Sequence, residues 1–293
     1  MLYFPRNLKY GGKRIMGIAQ AALLAGLGAG VGILGSMFGI GGGIFLIPAL
    51  VLYFHVPMHF AIATSLITII ATSSAVAAVN VERGLANMRL GLSLEVSTAA
   101  GALGGAYAAS LLSPSALKLL FSLLLFFTAG TMFKKGLSAL RGVKGEDGAA
   151  TAQTGELGGE YFDHATRETV RYGVKKMPAA SVISVAAGAL SGMLGIGGGI
   201  IQVPLMHLVC GVPLKAAAAT SNFMLGVTAA ASALVFYRQG AVIPDMTALL
   251  VIGVLAGSAA GMKLLAGMKS DKLQLALSLL ILAIAVKMFS GVF

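Results

Sequence analysis

From Met177 to Leu214 the sequence contains no Asp, Glu, Lys or Arg, and Val96–Leu117 and Ala216–Tyr237 are likewise uncharged. Each run equals or exceeds the ~20 residues with which an α-helix crosses the hydrocarbon core of a bilayer. In lipid every backbone N–H and C=O has to be satisfied inside the protein, which leaves helix bundles or closed barrels. Period-2 alternation is absent from these runs, so the fold class is an all-α polytopic membrane bundle. With 57% apolar residues, 11% charged residues and a mean hydropathy of +0.91, a soluble core is excluded.

The runs are duplicated. Gly39-Ile40-Gly41-Gly42-Gly43 returns 156 positions later as Gly195-Ile196-Gly197-Gly198-Gly199. The same offset places Pro48 on Pro204, Pro57 on Pro213, Thr64-Ser65 on Thr220-Ser221, Gly84 on Gly240 and Met132-Phe133 on Met288-Phe289. A fixed self-similarity of this kind has to be recognised before local structure is assigned. It divides the chain into a basic arm (1–14), a first membrane repeat (15–135), a polar linker (136–177) and a second membrane repeat (178–293). Each repeat is expected to hold about four spanning helices and one helix broken or re-entrant at its GIGGG motif. The first unit reads as helices over 16–38, 44–54, 59–80, 90–111 and 116–134, the second over 179–194, 200–211, 215–237, 246–265 and 272–290. The second element of each unit is too short to span, since eleven residues rise only about 17 Å against a core of about 30 Å.

The net charge of +11 lies mostly outside the apolar runs, where Lys and Arg set orientation and do not imply a nucleic-acid partner. Arg6, Lys9, Lys13 and Arg14 put the arm on the cytoplasmic side, and basic residues at both ends of the linker put it there too. Each unit then crosses an even number of times and the copies run parallel; counting the short element as a crossing inverts them. Gly145–Gly159 has too little apolar area to fold and reads as mobile.

Three adjacent glycines discard helix propensity at roughly 1 kcal/mol each relative to Ala. One reading is close helix packing, in which small residues let backbones approach, and Gly26-Leu27-Gly28-Ala29-Gly30 fits it. For Gly41, Gly42, Gly43 and Gly197, Gly198, Gly199 the functional reading is a break at membrane depth. An apolar helix restarts at once at Ile44 and Ile200, so unpaired N–H groups and the positive end of the helix dipole face the break and attract an anion. Thr64, Ser65, Thr220, Ser221 and Asn222 are donors able to replace an anion's water shell, or else they bond the preceding helical turn. Glu95, whose counterpart is Val251, is a candidate for proton coupling, or else it reaches the interface. Lys263 and Lys287 sit where they snorkel. Cys210 is a single thiol that cannot form an intrachain disulfide. His55, His59 and His207 show no metal-ligand spacing, HExxH, GxSxG and GxxxxGK[ST] are missing, and neither an enzyme nor a cofactor is indicated.

The doubled Gly-Ile-Gly-Gly-Gly-x4-Pro, at Gly39–Pro48 and Gly195–Pro204, with Ala63-Thr64-Ser65 and Ala219-Thr220-Ser221, resembles the TauE/SafE sulfite-exporter family over nearly all of the chain except arm and linker. The resemblance implies a multi-pass permease of the inner membrane that moves sulfite, sulfoacetate or another small sulfur-containing anion, commonly outward. It also implies that the two motif regions meet near the transport path. The expected function is a secondary transporter working by alternating access. The alternatives are an anion channel with the same pocket, and a non-transporting membrane scaffold or sensor acting through the linker.

Overall fold

The computed structural model describes residues 18–38, 41–140, 157–163, 168–265 and 270–291. Among these are ten helices and one two-stranded hairpin. The first repeat supplies α1 (Ile18–Phe38), α2 (Gly43–Leu52), α3 (Met58–Glu82), α4 (Met88–Leu111) and α5 (Pro114–Leu140). The second supplies α6 (Met177–Leu194), α7 (Gly199–Leu208), α8 (Leu214–Arg238), α9 (Pro244–Leu265) and α10 (Ser270–Ser290). Eight helices are of spanning length, and six of them, α1, α3, α5, α6, α8 and α9, are also apolar enough to cross a membrane. The two that restart after the glycines have ten residues each. Pro114 and Pro244 open their helices, where a missing N–H costs nothing.

The repeats interlock. α1 packs along α9 and α4 along α6, while α3 crosses α8 and α5 lies beside α10. Advancing each label by one repeat turns the first pair into the second and leaves the other two unchanged, as a pseudo-two-fold axis requires. Glycine makes the close pairs possible. Gly28 and Gly32 lie on the α9 backbone at Leu250 and Val254, and Gly253 and Gly257 on the α1 backbone at Ala25 and Ala29. Gly101 and Gly105 meet α6 at Val185 and Ala189 in the same way. Of the Gly26–Gly30 cluster only Gly28 makes such a contact; Gly26 and Gly30 have open space beside them.

These contacts give directions. Ala25 meets Gly253 and Ala29 meets Gly257, so α1 and α9 run parallel; Gly101 meeting Val185 and Gly105 meeting Ala189 makes α4 and α6 parallel too. α3 and α8 cross antiparallel, because the Ser73 hydroxyl donates to the Asn222 carbonyl while Ile69 and Leu225 meet at the same two glycines. Two helices exchanged by a two-fold axis can be antiparallel only if that axis lies across them, so the repeats are inverted. This corrects the parallel arrangement expected from charge. The physical reason is parity: α1 and α2 together begin and end on one face, leaving α3, α4 and α5 to cross. That face, called face A, carries the start of α1, the α2–α3 turn, the start of α9 and the end of α10, where Lys287 Nζ stands 5.1 Å from the Tyr53 ring centre. The opposite face B carries the α3–α4 turn, the linker and the start of α8. The start of α1 and the linker thus lie on opposite faces, so the two cannot both be cytoplasmic. Residues 1–14 themselves lie outside the described residues.

The linker holds structure that its composition did not suggest. Gly159–Asp163 (β1) and Glu168–Tyr172 (β2) form an antiparallel hairpin with Gly159 opposite Tyr172. Tyr161 and Tyr172 are buried in a cluster with Leu90, Leu94, Met206, Cys210 and Met224. These two rings supply the apolar area that the Gly-rich stretch lacks. Of the stretch read as mobile, 145–156 lies outside the described residues, while 157–159 leads into the hairpin.

Candidate functional site

Both glycine motifs make the same turn. Gly41 and Gly42 have φ +74° and +80°, and Gly197 and Gly198 have +76° and +86°, a left-handed conformation open to glycine without a Cβ penalty. Gly42 and Gly198 are the N-cap residues of α2 and α7, and neither cap carries a side-chain hydrogen bond. The ladder of α2 starts with Phe45 and Leu46 donating to the Gly42 carbonyl, and that of α7 with Ile201 and Gln202 donating to Gly198. The N–H groups of Gly43, Ile44, Gly199 and Ile200 therefore precede the first intrahelical bond of their helices. Gly39 and Ile40 lie outside the described residues.

The two breaks meet. A Cβ built on Gly43 would stand 2.7 Å from the Gly195 carbonyl oxygen and 2.8 Å from Ser65 Oγ. Ser65 Oγ donates to that same Gly195 carbonyl at 2.8 Å. Gly41 and Gly197 both lie against Ile69 and Leu225, which occupy equivalent positions in the two repeats and mark the α3–α8 crossing. Apolar side chains thus close the space between the breaks. A hydroxyl lies beside the second one: Ser191, fully buried and without a hydrogen-bond partner, approaches Gly198. At its counterpart, Gly35 lies on the Gly42 backbone.

The hydroxyl residues singled out by sequence divide into two groups. Ser65 and Ser221 are both fully buried; Ser65 bonds the opposite repeat, and Ser221 Oγ has no partner. Thr64 and Thr220 instead face the other repeat's fourth helix, α9 or α4, near opposite faces of the bundle. Thr64 Oγ1 accepts from Thr247 Oγ1 at 3.5 Å, and Thr220 Oγ1 accepts from the Asn87 N–H at 2.9 Å. Asn222 contributes its backbone carbonyl to Ser73. Thr64 and Thr220 are therefore not brought to the meeting point of the glycines.

The sequence reading singled out Glu95 but passed over the buried polar residues around it, on one side of the dyad. Thr228 Oγ1 donates to Glu95 Oε1 at 2.8 Å, and Gln202 Nε2 donates to Thr98 Oγ1 at 2.8 Å. The available signal was a polar residue in one copy opposite an apolar one in the other: Gln202 against Leu46, and Thr98 against Val254. Glu95 is 4% exposed and faces α8, so it does not reach the interface.

On face B the hairpin is seated over the starts of α4 and α8. Asn87 Oδ1 caps α4 by accepting from Leu90 N–H at 3.0 Å, while its Nδ2 donates to the Leu157 carbonyl at 2.9 Å. Burial pushes the Tyr172 phenol above its ordinary range, partly offset by a hydrogen bond with Asn87. Between hairpin and α3–α4 turn is a cavity of about 260 Å³ lined by Asn87, Arg89, Glu160 and Tyr172 among others. Among the described residues no group of three or more His, Cys, Asp or Glu could hold a metal ion.

Comparison with known proteins fits this architecture. The family model described as sulfite exporter TauE/SafE matches residues 23–288. The chain is 27% identical over 210 residues to the probable membrane transporter protein YunE of Bacillus subtilis, covering 69% of this chain and 73% of that one. It is 26% identical over 234 residues to the probable membrane transporter protein YdhB of the same organism, covering 80% and 85%. Against the probable membrane transporter protein MamO of Magnetospirillum gryphiswaldense it is 27% identical over 241 residues, covering 78% of this chain but 38% of MamO. No solved structure matches.

Proposed function

Because the chain belongs to the TauE/SafE sulfite-exporter family, we propose that this multi-pass membrane protein is a secondary transporter. It moves a small sulfur-containing anion, such as sulfite or an organosulfonate, across the cytoplasmic membrane. The observation that carries the reading is the meeting of two glycine breaks, each opening a half-helix, from inverted repeats at the α3–α8 crossing. Inverted repeats with substrate held between discontinuous helices near the midplane are a recurrent transporter design. The anion would be held by the N–H groups that open α2 and α7, from Gly41–Gly43 and Gly197–Gly199, with Ser65 and Ser221 as hydroxyl donors. Thr64, Thr220 and Asn222 hold the helices that carry them. Such donors bind without a fixed positive charge, so the anion is also free to leave.

Ile69 and Leu225 close the space between the breaks, which supports an alternating gate over an open channel. Tyr161 and Tyr172 cover the starts of α4 and α8 on face B. Movement of one repeat against the other would part the two helix ends toward one face at a time. Face B is assigned to the cytoplasm, because 14 of the 21 Lys and Arg residues fall in sequence in the linker or at helix ends on that side, against seven for face A with Arg6, Lys9, Lys13 and Arg14 included. A potential negative inside favours export of an anion by about 2.3 kcal/mol per charge at 100 mV.

The test is isotope counterflow in liposomes holding the purified full-length chain, with sulfite, thiosulfate and sulfoacetate as probes. Saturable uptake accelerated by the same anion on the opposite side is expected. Flux that never saturates would establish a channel, and no flux of any of the three would overturn the sulfur-anion assignment.

A further inference from the structure

The two repeats part company around α4. Glu95 stands where the second repeat has Val251, Thr98 where it has Val254, Gln202 where the first has Leu46, and Ser184 where the first has Gly28. With Thr228 these residues come from α4, α6, α7 and α8, and none is more than 4% exposed. Thr228 holds Glu95 Oε1, Gln202 Nε2 donates to Thr98 Oγ1, and Ser184 Oγ donates to Gln202 Oε1 at 3.4 Å. Glu95 and Thr98 are one turn apart on the same face of α4. Gln202 also donates its backbone N–H to the Gly198 carbonyl at 3.0 Å. Polar side chains therefore line the way from the carboxyl, along the shared face of α4, to the residue that opens α7, while the positions that match Glu95, Thr98, Gln202 and Ser184 across the dyad are hydrocarbon or glycine; Thr228 alone is matched, by Thr72.

Of these side chains only Glu95 leaves a buried polar atom without a partner, Oε2. Acids inside a membrane bundle are expensive and are found where they move protons or ions. The neighbouring helices offer no counter-charge. α6 carries no titratable residue; His207 on α7 is bonded to the Val212 carbonyl; Lys215 and Arg238 sit at the two ends of α8, and His59 and Glu82 near the ends of α3.

We propose that Glu95 is the proton-binding residue of this transporter, with Oε2 as the atom that takes the proton, and that Thr228, Thr98 and Gln202 are positioning residues that report its state to α7. The proposal rests on the transport reading above and names its coupling ion. In each cycle one proton passes from water on one face to Oε2 and from Oε2 to water on the other. Proton and anion travel together: a carboxylate opposes a second negative charge gathered at the linked α7 terminus, and a carboxyl group does not.

The experiment uses liposomes of the full chain loaded with radiolabelled thiosulfate, an anion that takes up no proton near neutral pH, with the membrane potential clamped. An interior more acidic than the exterior should speed net thiosulfate efflux several-fold over symmetric pH. Glu95→Gln should lose that response yet retain exchange at symmetric pH. A Glu95→Gln protein that still follows the gradient overturns the proposal, as does a wild type that exchanges thiosulfate but ignores or inverts the gradient. Wild type that exchanges nothing overturns the transport reading, and the proposal falls with it. Infrared difference spectra of the purified protein give a readout without substrate: a carboxylic C=O band that titrates in wild type and is missing in Glu95→Gln. Should Glu95→Gln not fold, Thr228→Val keeps the carboxyl and should shift both the band and the pH midpoint of efflux. An unmoved band and midpoint, or a wild type without the band, would sink the assignment.

Discussion

The Gly195 carbonyl, at the end of α6, rests directly over Gly43 at the start of α2, with Ser65 donating to the same oxygen at 2.8 Å. A residue that closes one repeat's first helix thereby touches the residue that reopens the other's.

That contact leaves no room for a methyl group. Gly43→Ala would bring a Cβ to 2.7 Å from backbone that cannot swing aside. Overpacking of this kind costs roughly 1–3 kcal/mol, and part of it should appear as slower exchange, because the break itself is displaced. Gly26→Ala, with open space beside it, should leave melting temperature and exchange unchanged. Thermal unfolding in detergent and liposome exchange measure the two variants side by side.

Ser65 and Ser221 occupy equivalent positions with unequal bonding. Ser65→Ala removes a buried hydrogen bond and should lower stability by about 1 kcal/mol. Ser221→Ala removes a hydroxyl that bonds nothing in the protein, so its melting temperature should hold. If that hydroxyl serves the anion, the variant's KM for counterflow should rise several-fold. An unchanged KM would remove Ser221 from the site.

Arg83 and Gln239 are the C-cap residues of α3 and α8 and correspond through the 156-residue offset. Inverted repeats put them on opposite faces. In a Cys210→Ala background, Arg83→Cys should react with an impermeant maleimide in inside-out vesicles and Gln239→Cys in intact cells. Labelling of both from one side would restore the parallel arrangement.

Cys210 is fully buried beneath the tyrosine pair of the hairpin, and burial pushes its thiol above the ordinary range. Since only the thiolate reacts, maleimide labelling in wild type should be slow near neutral pH. The rate should go on climbing at pH values where a free cysteine has levelled off. Asn87→Ala and Tyr172→Ala release the hairpin in different ways, one by its anchor and one by its stopper, and both should speed labelling several-fold. Equal rates in all three proteins would show that the hairpin does not cover this face.

Helix positions were legible because long uncharged runs bounded by Pro, Gly and charge admit few assignments in lipid. The breaks at Gly41–Gly43 and Gly197–Gly199 were legible because an interruption repeated at one offset cannot be accidental punctuation. Local composition also explains what was misread. The hairpin is held by Tyr161 and Tyr172 inserting among Leu90, Met206 and Met224, partners distant in sequence. Thr64 and Thr220 matched as a pair, but inversion sends them toward opposite faces.

The sequence by itself determined that this chain is a duplicated helical membrane protein broken twice at glycine, since the bilayer permits little else for such residues. Only the tertiary structure decided that the copies are inverted, that the breaks meet at Ile69 and Leu225, and that Glu95 lies on a polar path to one of them. The orientation of one repeat against the other depends on how many times the chain crosses, and α1 with α2 returns to the face it left. Periodicity along a chain records each helix's own faces; which faces meet is settled by packing between residues more than a hundred positions apart.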